Sequence, residues 1–138
     1  LQCARRNDAL KLWLDWRARG DEGWARLVDR FMADADYLEA GIVAHPSLEM
    51  MSSRMWTNVC FRFNNGDGSV DLNDLNTEIR NRLMREGSYM VSRSNVGENV
   101  VIRMVVANQN LTRATLDGLL ERVVHHGEEI LRGLPAVV

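Results

Sequence analysis

Apolar residues along this chain recur first at helical spacing and then in alternation. Leu10, Trp13, Leu14 and Ala18 share a helical face behind Asn7 and Asp8, whose short polar side chains suit an N-terminal cap, and the run ends near Gly20. Asp21 is placed to cap a second helix with Trp24, Leu27, Val28, Phe31, Ala35 and Leu38 on one face, failing between Gly41 and Pro46. The pattern then changes. Ser47 to Met51 reads as a short strand. Trp56 to Phe63 alternates, with Val59, Phe61 and Phe63 on one face and Asn58, Cys60 and Arg62 on the other. Asn64-Asn65-Gly66-Asp67-Gly68 is a turn by its chemistry, because Gly and Asn tolerate positive φ.

Asp71 opens a third helix carrying Leu72, Leu75, Ile79 and Leu83, closed by Gly87. Tyr89 to Arg93 and Val100 to Val106 read as strands of a hairpin turning through Ser94 to Asn99. Thr112 caps a last helix with Leu116, Leu119, Leu120, Val123, Val124 and Ile130. The order is α-α-β-β-α-β-β-α. Amphipathic helices mixed with half-polar strands imply an α+β domain: a small antiparallel sheet with helices packed on one face. Residues 1–20 form a helix leading into it, and residues 21–138 form the domain itself.

Composition narrows the class. The 138 residues are 46% hydrophobic and 26% charged, with a net charge of −2, which fits one globular domain and excludes wholesale disorder or a collagen-like repeat. A charge so near zero argues against a protein built to coat nucleic acid or anionic lipid, and no apolar run is long enough for a membrane-spanning helix. Two cysteines, Cys3 and Cys60, make neither a disulfide framework nor a Cys-rich zinc site. The first residues lack the apolar core of a signal peptide, so a reduced, cytoplasmic setting is expected. The absence of an initiator Met indicates that Leu1 is not the natural start. Lys11 is the only lysine among 17 basic residues, hence the one candidate for lysine-based covalent chemistry.

Arg103 is the most informative side chain. It sits in Val100-Val101-Ile102-Arg103-Met104-Val105-Val106, and a guanidinium in so apolar a strand calls for an anion. Its planar fork suits a carboxylate held bidentately. Three readings stay open: a ligand carboxylate, an ion pair with an Asp or Glu of the same chain, or exposure on an uncovered sheet face. The other candidates read as structural. Cys3 and Cys60 have no sequence-near His to activate them. His125 and His126 lack i,i+4 metal spacing and read as surface or cap residues near a helix end, and His45 before Pro46 reads as a loop residue. Gly66-Asp67-Gly68 is too short for a phosphate loop. Trp13 and Trp24 sit on apolar stripes and read as core, whereas Trp16 is off that face and is a candidate for an inter-domain or subunit contact. Arg5 and Arg6 precede a helix whose dipole opposes them, which indicates an acidic or phosphate partner outside the chain.

Three segments resemble one family. Leu1-Gln2-Cys3-Ala4-Arg5-Arg6-Asn7-Asp8-Ala9-Leu10-Lys11-Leu12-Trp13 is similar to the stretch leading into the C-terminal region of group II pyridoxal phosphate-dependent amino-acid decarboxylases, L-Q-C-G-R-x-x-D-x-x-K-x-W, with Ala4 in place of the usual Gly. Trp56-Thr57-Asn58-Val59-Cys60-Phe61 resembles the family's T-N-V-C-F strand, and Val100 to Asn108 resembles its final strand, F-x-R-M-x-x-x-N. The three occur in family order, and the resemblance covers nearly the whole chain.

The resemblance implies the C-terminal small domain of a fold-type I enzyme that removes the α-carboxylate of an L-amino acid as carbon dioxide and works as a homodimer. Pyridoxal phosphate would be held by a large domain absent from this chain, with its Schiff-base lysine and ring-nitrogen aspartate there. Lys11 then matches a helix position of the K-x-W motif rather than the cofactor lysine. Arg103 matches the arginine that the small domain offers to the substrate carboxylate, Cys3 aligns with a pocket-lining cysteine of some members, and Ser94 to Asn99 is placed to tune side-chain choice. No catalytic or cofactor-binding residue is expected in this chain. The expected partners are the large-domain polypeptide and a small amino-acid substrate, with no nucleic acid, membrane or metal. The alternative is a stand-alone α+β binding or regulatory module in which Arg103 captures a small carboxylate without catalysis.

Overall fold

The computed structural model describes residues 7–66, 68 and 70–133. Its chain divides into two compact units, Leu1–Arg30 and Phe31–Val138. Helix α1 (Asp8–Ala44) begins in the first and ends in the second. Within it Gly20 is non-helical at φ 67°, ψ 176°, a conformation that glycine adopts without a Cβ penalty, so the break read at Gly20 is a kink.

In the first unit Asn7 caps α1 through Oδ1, which accepts from Leu10 N at 3.1 Å. Asp21 does not act as a backbone cap. Its carboxylate accepts instead from Trp16 Nε1 at 2.6 Å, and the Trp16 ring stacks on Trp24 with centroids 5.5 Å apart. The core expectation for Trp13 fails, because Trp13 is 57% exposed, alongside exposed Leu10, Leu12 and Leu14. Its apolar periodicity is real, but no described element covers that stripe.

The second unit carries the α+β fold read from the sequence. Strands β1 (Leu48–Met50), β2 (Asn58–Phe63), β3 (Ser92–Val96) and β4 (Asn99–Val105) form one antiparallel sheet in the order β1-β2-β4-β3. Helices α2 (Leu72–Glu86) and α3 (Arg113–Leu131) and the last turns of α1 complete it. Alternation decides which sheet face is covered. Val59, Phe61 and Phe63 of β2 join Ile102 of β4, Ile79 and Leu83 of α2 and Leu116, Leu119 and Val123 of α3 in one buried core. Cys60 and Val101 are buried but stand outside that core, on the opposite face.

The caps hold as read: Asp71 accepts from Asn73 N and Asp74 N, Gly87 closes α2 at φ 71°, and Thr112 accepts from Thr115 N. Two boundaries shift. The third strand is Ser92–Val96 rather than Tyr89 to Arg93, and the turn shrinks to Gly97 and Glu98 between the partners Val96 and Asn99. A polar edge strand has no apolar alternation to betray it, and Gly97 at φ 59° supplies the tight reversal. The second strand begins at Asn58, because Met55 and Asn58 bond to each other across a turn in which Trp56 takes φ 57°.

His126 is also corrected. It lies within α3 and is 3% exposed, not a surface or cap residue, whereas His125 is exposed as read. Nε2 of His126 stands 3.0 Å from Glu86 and Nδ1 3.5 Å from Glu129, with Arg82 and Arg122 paired to the same carboxylates. The α2–α3 seam is thus charged, and an i,i+3 relation to Glu129 was the signal available in the sequence.

Candidate functional site

Arg103 lies in the middle of β4, flanked across the sheet by Cys60 of β2 and Ser92 of β3, its Cα partners in the register. Strand alternation turns it away from Ile102 and the core, onto the face shared with Asn58, Cys60 and Arg62 of β2 and with Val101 and Val105 of β4. It is exposed, and among the described residues it has no ion pair or side-chain hydrogen bond. Of the three readings left open by its sequence context, the internal ion pair is thus not formed among the described residues.

The contrast with Arg62 shows that this is not the general state of the face. Arg62 reaches Glu49 at 2.9 Å and Asn99 Oδ1 at 3.1 Å. The hydrogen bond from Asn64, followed by those of Arg62, holds the Glu49 carboxyl below its usual range against the opposing effect of burial. Glu49 is thus an anion already committed to two partners. Arg54 is similarly spent, clasping Asp36 and Glu39 of α1. Arg103 keeps a free fork of donors able to take a carboxylate bidentately.

Beyond Arg103 toward the C-terminal end of β4, the surface becomes apolar. Val105 is 49% exposed, and Trp56 and Met90, next to β2 and β3 in sequence, are exposed at 73% and 88%. The Gly97–Glu98 turn lies at the opposite end of β4, where α2 pins it: Asn73 Nδ2 donates to Glu98 O at 3.1 Å and Asn73 Oδ1 accepts from Val100 N at 2.7 Å. The structure thus fixes the Ser94 to Asn99 segment as part of the β3–β4 hairpin. Cys3, Arg5 and Arg6 lie outside the described residues.

Lys11 is in the first unit, its side chain 64% exposed and paired with Asp8 at 3.1 Å. No cluster of metal-ligating side chains occurs among the described residues. What the arrangement can do is bind and orient an anion at Arg103. The sequence flagged that residue, but it missed the Arg62–Glu49 and Arg54 clasps, which depend on pairings distant along the chain.

Comparison with known proteins gives this geometry its context. The pyridoxal-dependent decarboxylase conserved domain matches residues 1–64. Cysteine sulfinic acid decarboxylase from Homo sapiens is 33% identical over 94% of this chain and 28% of its own length, and that from Mus musculus is 32% identical over the same shares. Among solved structures, mouse CSAD in apo form matches with TM-score 0.81 at 33% identity, over 91% of this chain and 29% of that one. Oryza sativa TDC with PLP and tryptamine matches with TM-score 0.81 at 25% identity, over 91% of this chain and 28% of that one. These matches support a fragment of a group II pyridoxal phosphate-dependent decarboxylase. The chain spans less than a third of the length of the relatives it matches.

Proposed function

We propose that this chain is the C-terminal small domain of a pyridoxal phosphate-dependent L-amino-acid decarboxylase, and that Arg103 receives the substrate carboxylate. The observation that carries this reading is the uncommitted, exposed guanidinium of Arg103 on the sheet face opposite the core, in a chain whose relatives are decarboxylases. When bound, the cofactor of this family supplies the electron sink for the carbanion left by carbon dioxide. This chain contributes position: a fixed guanidinium sets the angle at which the carboxylate stands, and orientation alone is worth a large part of such a barrier.

The cofactor is held by the remainder of the enzyme. That remainder covers the exposed Leu12, Trp13 and Trp16 of the first unit and Trp56, Met90 and Val105 of the second, surfaces too apolar to remain bare. The complete enzyme works as a homodimer in the cytoplasm, in keeping with the family resemblance and with Cys60 as a free thiol.

The test is borohydride trapping of the full-length enzyme with pyridoxal phosphate, followed by peptide mapping and an assay of carbon dioxide release. The adduct is expected on a lysine outside these 138 residues, with release from an L-amino acid. An adduct on Lys11, or cofactor binding without carbon dioxide release from any amino acid, overturns the reading.

A further inference from the structure

Trp56 differs from the other exposed residues of the second unit in its backbone. Among the described residues it is the one non-glycine with positive φ, at 57°, a conformation that costs free energy for so bulky a side chain. It holds the first central position of a two-residue turn, in which Met55 N donates to Asn58 O at 3.3 Å and Asn58 N to Met55 O at 2.9 Å. Turns of this length favour glycine or asparagine there. Packing within the domain does little to offset the strain, since Trp56 is 73% exposed.

The turn is nevertheless held from two sides. Arg54, its side chain only 16% exposed, donates to Trp56 O through one terminal nitrogen and to Asp36 through the other, while Nε donates to Glu39 Oε2 at 2.7 Å. Val106 N donates to Thr57 O at 2.9 Å, tying the turn to the end of β4. Two carboxylates of α1 and a half-buried guanidinium thus fix the carbonyl of a residue whose ring this chain leaves bare. Backbone strain kept in place this way points to a use for the side chain. Val105, the partner of Asn58, and Met90, two residues before the partner of Arg103, are exposed at the same end of the sheet. A rigid aromatic among smaller apolar groups is the pattern of an interface anchor. The chain spans 28% of its human relative, so more than two thirds of an enzyme of that length lies outside it and is available to cover this end.

We propose that Trp56 is the anchor by which this domain docks on the cofactor-holding part of the same enzyme, and that Arg54 is the positioning residue that keeps its turn in place. This rests on the function proposed above and deepens it: the ring fixes the end of β2 and β4 against the remainder of the enzyme, and with it the place of Arg103 relative to the cofactor. A substrate side chain is the other group that could cover the ring, and the experiment separates the two.

The test is hydroxyl-radical footprinting of the full-length enzyme saturated with pyridoxal phosphate, with oxidation at Trp56 read by mass spectrometry. Trp56 is expected to label about 10-fold or more slowly than in urea-unfolded enzyme, with or without L-cysteine sulfinate, L-aspartate, L-glutamate or L-tryptophan. Labelling as fast as in the unfolded enzyme overturns the anchor. Protection that appears only with an amino acid also overturns it and assigns the ring to the substrate side chain. Trp56→Gly, which suits the turn but removes the ring, is expected to lower kcat/KM about 10-fold or more, and Trp56→Phe to recover most of it. Wild-type kcat/KM in Trp56→Gly, with an unchanged or raised melting temperature, would show an idle ring and overturn the proposal. Arg54→Ala is expected to raise Trp56 labelling several-fold while Phe61 and Phe63 stay unlabelled, with Arg54→Lys between it and wild type. Unchanged Trp56 labelling, or labelling of all three rings, overturns the positioning role. If Arg103→Ala is impaired while Trp56 is unprotected, only the anchor falls. If Arg103→Ala is normal while Trp56 is protected, the carboxylate site falls and the anchor stands.

Discussion

Asn76→Ala should be among the most damaging single changes in the second unit, for a reason visible in the ladder. The β2–β4 pairing stops at Phe61–Ile102, so Phe63, the last residue of β2, has no strand partner on that side. Asn76, fully buried on α2, stands in for the strand: its Oδ1 accepts from Phe63 N at 2.8 Å and its Nδ2 donates to Phe63 O at 2.9 Å. Nδ2 also reaches Leu72 O at 2.8 Å, one turn back in α2. Truncation orphans two buried backbone groups at about 1–3 kcal/mol each, so a loss of about 2–6 kcal/mol is expected. Against a typical stability of about 5–15 kcal/mol, that is a large share. Urea unfolding gives the total, and hydrogen exchange at the Phe63 amide gives the local effect, which should rise by about 30-fold or more. A loss below about 1 kcal/mol with Phe63 still protected would refute the argument that the amide replaces a strand.

Other outcomes follow from the same packing. At Gly127 of α3 an added Cβ would meet the buried Phe63 ring at 2.7 Å, so Gly127→Ala should cost about 1–3 kcal/mol by overpacking, and an unchanged melting temperature would show that the ring can yield. Glu86 is held down to about 2 from an ordinary 4.5 by its hydrogen bond from Arg122, with His126 adding to it and burial opposing. A depressed carboxyl stabilises the fold above its unfolded value, so this contribution, about 1–3 kcal/mol after solvent screening, is complete above pH 4.5 and lost as pH falls toward 2. Urea midpoints followed across that window should show a smaller acid loss for Glu86→Gln than for wild type, and parallel curves would remove Glu86 from the seam's energetics.

The sequence was most legible where local chemistry and burial agree. Asp71, Gly87 and Thr112 announce helix ends because their side-chain or backbone preferences act within one turn, and Val59, Phe61 and Phe63 alternate because one face of β2 is covered. The Ser92–Val96 edge strand was misplaced because it buries little and carries polar residues throughout, so its strand character comes from β4 beside it. Trp13 misled for the opposite reason: a helical stripe shows that a face is apolar, not which element covers it. His126 was missed because its partners lie on both α2 and α3. Of the candidate site, Arg103 stood out as a charge among apolar neighbours, but its freedom from internal partners required the structure.

What Arg103 binds is tested most directly by steady-state decarboxylation by the full-length Arg103→Ala and Arg103→Lys variants, with cofactor content read from its absorbance. Both should retain pyridoxal phosphate. Ala should lose about 100-fold or more in kcat/KM, and Lys, which restores charge without the bidentate fork, should recover only part of it. Wild-type kcat/KM in Arg103→Ala, or loss of cofactor along with activity, would contradict a carboxylate-holding arginine.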